Sequence, residues 1–275
     1  MTTELQAALA AIDGWGAPHV AVAVVNADGV VARHGDQDHV FRWASVTKLA
    51  TAVAVLTGVE DESIALDEPA GPAGSTVRHL LAHASGLTFD GDRVLALPGT
   101  RRIYSNAGFD ALGALVEERD GRPFAVALSD RVLAPLGMAA TELRERPSQG
   151  LHGPLIDAVA LAREFVRPTL ISRETAQLAT TVAFPGLKGV LPGVGSFDPL
   201  DWGLGFELRD GKKPHWTGTR NSPGTFGHFG GSGTFVWVDP ALDLALVCLT
   251  DREFDDWALE AWPRFSDSVI DAVAS

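Results

Sequence analysis

Strand-like apolar runs stand near both ends of this chain with helix-like segments between them, and that placement limits the folds it can adopt. Near the start, His19-Val-Ala-Val-Ala-Val-Val25 reads as a strand, Asn26-Ala-Asp-Gly29 as a turn and Val30-Val-Ala-Arg33 as the hairpin partner. Near the end, Gly203–Leu208, Gly233–Val238 and Leu242–Thr250 have the same character, and Asp239-Pro240-Ala241 reads as a tight turn joining the last two. Between them the pattern is helical over Ser45–Thr57, Val77–His83, Ala107–Arg119 and Phe124–Ala134, with Gly58 and Gly86 as helix stops. Residues 4–13 and Trp257–Val273 read as an opening and a closing helix. Apolar strand faces must be buried, so the terminal strands are expected to meet in one sheet. The expected class is α/β (α+β): an antiparallel sheet flanked by helices and formed from residues 1–45 and 190–275. Residues 46–189 would be an inserted, mainly helical lobe, the two making one functional unit. Phe184–Asp201, rich in Gly and Pro, reads either as a surface loop near a site or as a mobile connection.

Composition narrows the partners. A net charge of −13 lacks the basic footprint that nucleic acid or an anionic membrane surface requires. No run approaches the ~18 unbroken apolar residues of a membrane span. The first residues, Met1-Thr-Thr-Glu-Leu-Gln, lack the basic start and apolar stretch of an export signal, so the expected location is the cytoplasm. The single cysteine, Cys248, lies inside an apolar run and reads as a buried, inert thiol.

Three short stretches carry residues capable of chemistry. In Ser45-Val-Thr-Lys48 the hydroxyl and the amine fall on one helix face, and a serine needs such a base before it can act as a nucleophile. Burial in the apolar segment that follows would lower the amine's pKa. The bland alternative is a capped helix with a lysine reaching out to solvent. In Tyr104-Ser-Asn106 the only tyrosine of the chain could shuttle a proton, its phenol held partly or wholly deprotonated by a nearby ammonium, or it could be a core aromatic after a Pro-Gly turn. In His228-Phe-Gly-Gly-Ser-Gly-Thr234 the paired glycines would let backbone approach a ligand and complete an oxyanion hole; a hairpin bulge is the alternative.

Taken together, Ser-x-x-Lys, Tyr-x-Asn and His-x-Gly, in this order, resemble the signatures of the class C β-lactamase and penicillin-binding-protein-like serine hydrolases, which include esterases and D-aminopeptidases. Leu66-Asp-Glu-Pro69, Val77–Leu87, Pro98-Gly-Thr100, Pro135-Leu-Gly-Met138 and Gly203-Leu-Gly-Phe206 extend the resemblance over roughly residues 20–250. The resemblance implies Ser45 as the acylated nucleophile, Lys48 as proton acceptor, Tyr104 as general base and acid, and Asn106 as an orienting amide. It implies that His228 and Gly230 line the substrate strand and that the Gly231 N–H joins that of Ser45 in the oxyanion hole. It further implies no metal or other cofactor and a small-molecule acyl substrate; a monomer or small homo-oligomer is expected. The departure is His228, where β-lactamases carry a lysine: a neutral imidazole supplies no fixed charge for a substrate carboxylate. Ester or amide hydrolysis is therefore the expected activity. β-Lactamase or D,D-carboxypeptidase activity is the first alternative, and a non-catalytic protein that binds an acyl ligand is the second.

Other features are set aside. His79 and His83 are four apart, but no acidic residue follows His79 as a metalloprotease helix would require, and His83 is expected to bond backbone at the Ala84-Ser-Gly86 turn. Trp43 and Trp202 are candidates to line the cleft.

Overall fold

The computed structural model describes residues 3–274; Met1, Thr2 and Ser275, the outermost ends of the expected sheet lobe, lie outside the described residues. The strands are β1 (Val20–Asn26), β2 (Gly29–Gly35), β3 (Phe41–Arg42), β4 (Arg102–Ile103), β5 (Glu142–Leu143), β6 (Leu151–Gly153), β7 (Gly189–Leu191), β8 (Gly195–Phe197), β9 (Glu207–Leu208), β10 (Phe226–Phe229), β11 (Phe235–Asp239) and β12 (Leu244–Thr250). The helices are α1 (Thr3–Leu9), α2 (Thr47–Glu60), α3 (Val77–Leu81), α4 (Asn106–Asp120), α5 (Phe124–Leu128), α6 (Leu155–Val166), α7 (Arg173–Ala179) and α8 (Asp256–Ala274).

The main sheet runs β2-β1-β12-β11-β10-β9, and all its pairings are antiparallel. Strands from the two ends of the chain meet at its centre, where β1 pairs with β12 from Val20↔Thr250 to Val25↔Ala245. Asn26 closes the first hairpin by accepting the Asp28 and Gly29 N–H groups on its side-chain oxygen. β1 is apolar at every interior position because both faces of the sheet are covered. Its alternation sends Ala21, Ala23 and Val25 into one core and Val22 and Val24 into another. The first core, with α2, α4 and α6, reaches into the helical region; the second lies under α1 and α8.

The structure departs from the sequence reading at several points. Helix α6, absent from that reading, lies inside 46–189 yet packs on β1, β11 and β12, so sheet and helical regions interleave along the chain. Gly58 does not stop α2; it sits inside the helix, where a Cβ would press on Ile64. Nor does Gly86 end α3, which stops at Leu81; Gly86 takes a positive φ against the Ala96 carbonyl. Of 203–208 only Glu207–Leu208 is strand, because Gly203 and Gly205 bend the chain tightly onto Ala179 and onto Ala52 of α2. Phe184–Asp201 holds β7 and β8, which pair beside β4. No helix among the described residues is long and apolar enough to cross a membrane.

Candidate active site

Ser45 sits where β3 breaks into α2. Ala44, just before it, takes a φ of 45°, a left-handed conformation that costs a non-glycine residue on the order of 1 kcal/mol. The surrounding structure imposes this kink. Thr234 Oγ1 donates to the Trp43 carbonyl at 2.9 Å, Ser232 Oγ donates to the Arg42 carbonyl at 2.8 Å, and the Trp43 indole donates to the Gly153 carbonyl at 3.0 Å. Gly230 lies so close to the Trp43 carbonyl that no side chain fits there. The turn between β10 and β11 is thereby pressed onto the residues that carry Ser45.

Lys48, one turn along, is completely buried. Its Nζ lies 2.6 Å from Asn106 Oδ1, 2.8 Å from the Ser148 carbonyl and 3.3 Å from Ser45 Oγ. Burial pulls its pKa from 10.5 down to about 7, against the opposing pull of Asp110 and Asp90, while Arg146 pushes it lower. The first two neighbours are pure acceptors and take two hydrogens. In the neutral amine the remaining position, facing Ser45, is therefore a lone pair that can receive the serine proton.

Tyr104 follows β4, and its ring lies 4.9 Å from Lys48 Nζ. Here the structure corrects the expectation of a deprotonated phenol. Burial pushes Tyr104 well above its ordinary pKa and outweighs the hydrogen bond with the Ser45 hydroxyl, so the phenol keeps its proton. Its oxygen is also 3.4 Å from His228 Nε2. His228 Nδ1 lies 2.6 Å from the Phe229 carbonyl, so Nδ1 carries the hydrogen and Nε2 offers a lone pair to the phenol. Burial, reinforced by Lys48, drops the imidazole to about 3, leaving it neutral.

Ser45, Tyr104, Asn106, His228 and Gly231 all line one cavity of about 260 Å³, whose remaining wall is largely apolar: Phe89, Leu191, Pro192, Phe229 and Phe254. Gly230 N–H is committed to the Thr234 carbonyl, whereas Gly231 faces open space. Arg42 and Glu253, 3.7 Å apart, also border the cavity. Leu191 and Pro192 bring the Phe184–Asp201 segment to its rim.

Other expectations fail. Trp43 and Trp202 are fully buried and line no part of the cavity; Trp202 instead packs edge-on behind Tyr104 and His228. His83 bonds not the Ala84–Gly86 turn but the Ser105 N–H, through Nδ1 at 3.1 Å. Its former companion His79 is taken up in the capping of α3 by Thr76. Ser148, whose carbonyl holds Lys48, has no sequence signal: it lies in an ordinary Pro-Ser-Gln-Gly turn, and only tertiary folding brings it to α2. Metal-type side chains gather once among the described residues, at His19, His39 and Asp251, outside the cavity lining. The two imidazoles stack in parallel at 4.0 Å, so their in-plane lone pairs do not converge on one point.

This architecture is shared with known proteins. Over 96% of its length, with 98% of the other chain covered, the protein superposes with a TM-score of 0.94 and 52% identity on a crystal structure described as a beta-lactamase from Mycobacterium bovis. A fold likeness extends to EstCE1, described as a hydrolase with promiscuous acyltransferase activity, with a TM-score of 0.79, 18% identity and 97% of each chain covered. In sequence, 181 residues are 32% identical to Esterase EstB of Burkholderia gladioli, a match covering 42% of this chain and 46% of that protein. The chain thus matches a little under half the length of that relative. The Beta-lactamase family model matches residues 6–267, nearly everything from the opening helix to the last, and the chain belongs to the beta-lactamase family.

Proposed function

We propose that this protein hydrolyses small esters or amides through an acyl-enzyme formed on Ser45. The observation that carries this reading is the Lys48 amine: fully buried, drawn down to about 7, and with two of its three outward positions occupied by oxygen acceptors so that the third meets Ser45. Neutral Lys48 takes the Ser45 proton as Oγ attacks the substrate carbonyl carbon. The carbonyl oxygen becomes an oxyanion held by the Ser45 and Gly231 N–H groups. Tyr104, a neutral phenol, gives its proton to the leaving alkoxide or amine as the bond to carbon breaks, and the Lys48 ammonium, whose nitrogen lies against the Tyr104 ring, returns a proton to it. In deacylation, water takes the leaving group's place and the same protons run backwards, releasing the acid and restoring the serine hydroxyl. Asn106 holds the amine, and His228 accepts the phenol's hydrogen bond when Ser45 does not. A neutral His228 and an apolar wall favour an uncharged acyl group over one bearing a carboxylate.

A panel of p-nitrophenyl esters, D-amino-acid amides and a chromogenic cephalosporin tests the assignment, with Ser45→Ala as control. Turnover of esters that disappears in Ser45→Ala is expected; full activity in that variant defeats the mechanism. One second reading has its own support. The 52% identity to a protein described as a beta-lactamase, together with Arg42 at the cavity rim, favours weak β-lactamase or D,D-carboxypeptidase activity. Penicillin would then label Ser45 stoichiometrically with slow release, and the absence of both labelling and turnover excludes this activity.

A further inference from the structure

We infer that His83 is a positioning residue that fixes Tyr104 by holding the peptide groups on both sides of it. The inference rests on the reaction proposed above. The His83 carbonyl accepts the Ile103 N–H at 2.9 Å, and its Nδ1 accepts the Ser105 N–H at 3.1 Å. Its ring lies 4.5 Å from the Tyr104 ring, and Phe109 and Trp202 pack against the imidazole at 5.1 and 4.8 Å. One residue thus holds the Arg102–Ile103 peptide upstream of Tyr104 and the Tyr104–Ser105 peptide directly after it, and packs against its ring.

The structure carries this arrangement at a cost that packing alone does not explain. His83 is 1% exposed, so its imidazole is taken out of water. With Nδ1 accepting, the hydrogen is on Nε2, and that buried N–H has no hydrogen-bond partner. The backbone is strained as well, at a φ of 53°. A leucine would fill the same aromatic box without the orphaned N–H, but it offers no acceptor to Ser105. Burial first, and then the nearby Lys48 and Arg102 side chains, oppose protonation of the ring and push its pKa far below 6.5. Asp90, Asp110 and Arg146 act on the neighbouring Lys48, and Tyr104 itself is neutral. The acceptor therefore stays available throughout the working range of pH. Hydrogen bonds from Asn106 N–H to the Phe89 carbonyl, 2.7 Å, and from Ser105 Oγ to the Thr88 carbonyl, 2.6 Å, anchor the chain beyond, and pairing of β4 with β7 anchors it before; the Tyr104–Ser105 peptide N–H between them is held by His83 Nδ1. A misplacement of about 1 Å at a reacting group lowers turnover by roughly 100-fold.

His83→Asn keeps an acceptor where Nδ1 stood and tolerates a positive φ, whereas His83→Gln stays polar but carries its amide past Ser105. Both variants are assayed on p-nitrophenyl acetate, with kcat normalised to sites titrated by a fluorophosphonate and melting temperatures recorded alongside. The expected result is a kcat lowered at least ~10-fold in His83→Gln with KM within about threefold, and His83→Asn within about threefold of the parent. In a Tyr104→Phe background, His83→Gln should change the acylation rate less than about twofold, because the residue acts through the phenol. Parental kcat in His83→Gln, equal losses in the two variants, or a full additional loss in the Tyr104→Phe background overturns the inference. Activity surviving Ser45→Ala would instead sink the reaction scheme itself, so the two failures are told apart.

Discussion

Lys48→Met removes the ammonium while leaving an unbranched side chain in the same hole, and its consequence can be worked out from the burial of this one group. The amine falls from 10.5 to about 7, which at about 1.36 kcal/mol per pH unit corresponds to roughly 5 kcal/mol between its two protonation states. Below pH 7 the amine holds its proton in both the folded and the unfolded chain, and the whole penalty of the buried charge is present. Between about 7 and 10.5 only the unfolded chain keeps the proton, so the folded parent gains stability as pH rises through that window. Lys48→Met has no such group. The stability of the parent minus that of the variant should therefore climb by about 1.4 kcal/mol per pH unit, roughly 2.7 kcal/mol from pH 7.5 to 9.5, because groups titrating in both proteins cancel. Urea unfolding at pH 7.5, 8.5 and 9.5 measures the difference, with the buried Trp43 and Trp237 as fluorescence reporters. The companion measurement is kcat/KM of the parent, which should rise with pH through a midpoint near 7 as the amine loses its proton. Parallel stability curves, or a rate with no rise near 7, would mean that the amine stays charged at neutrality, and Lys48 could not then be the base.

Other perturbations probe neighbouring parts of the site. Tyr104→Phe should lower kcat by ~10²–10⁴-fold while the protein keeps its fold, since only a proton donor is lost; a rate within a few-fold of the parent would remove the phenol from the mechanism. Arg146 pairs with Asp110 and Asp90 and opposes their pull on Lys48, so Arg146→Gln should move the rising limb of kcat/KM to higher pH. The pair is partly exposed, so that displacement should shrink in 1 M salt, and a shift to lower pH would contradict the assigned electrostatics. Gly230→Ala places a methyl against the Trp43 carbonyl and the Thr234 hydroxyl, and should lower both the melting temperature and esterase turnover; a fully active variant of parental stability would show that this contact does not set Ser45.

Much of the scaffold was legible in the sequence because hydrophobic periodicity is local. The hairpin at 20–35, the long apolar strand at 244–250 and the closing helix over 256–274 each carry their pattern within a few residues. That strands from both ends share one sheet followed from the need to bury them together; that β1 pairs with β12 came from the tertiary structure. The candidate site residues were legible for a related reason: Ser45 with Lys48, Tyr104 with Asn106, and His228 with its glycines are short spacings that in this order resemble a known family's signatures. What the sequence by itself determined is thus the main strands at both ends, several of the helices, and which side chains are candidates for chemistry. Their protonation states were decided only by tertiary structure. The neutral phenol, the neutral imidazole and the lowered amine arise from desolvation and from charges contributed by distant segments, which no local pattern encodes. Helix α6 on the sheet, Ser148 against Lys48 and His83 behind Tyr104 were hidden for the same reason, because each is a contact made across 22 or more residues in the folded chain.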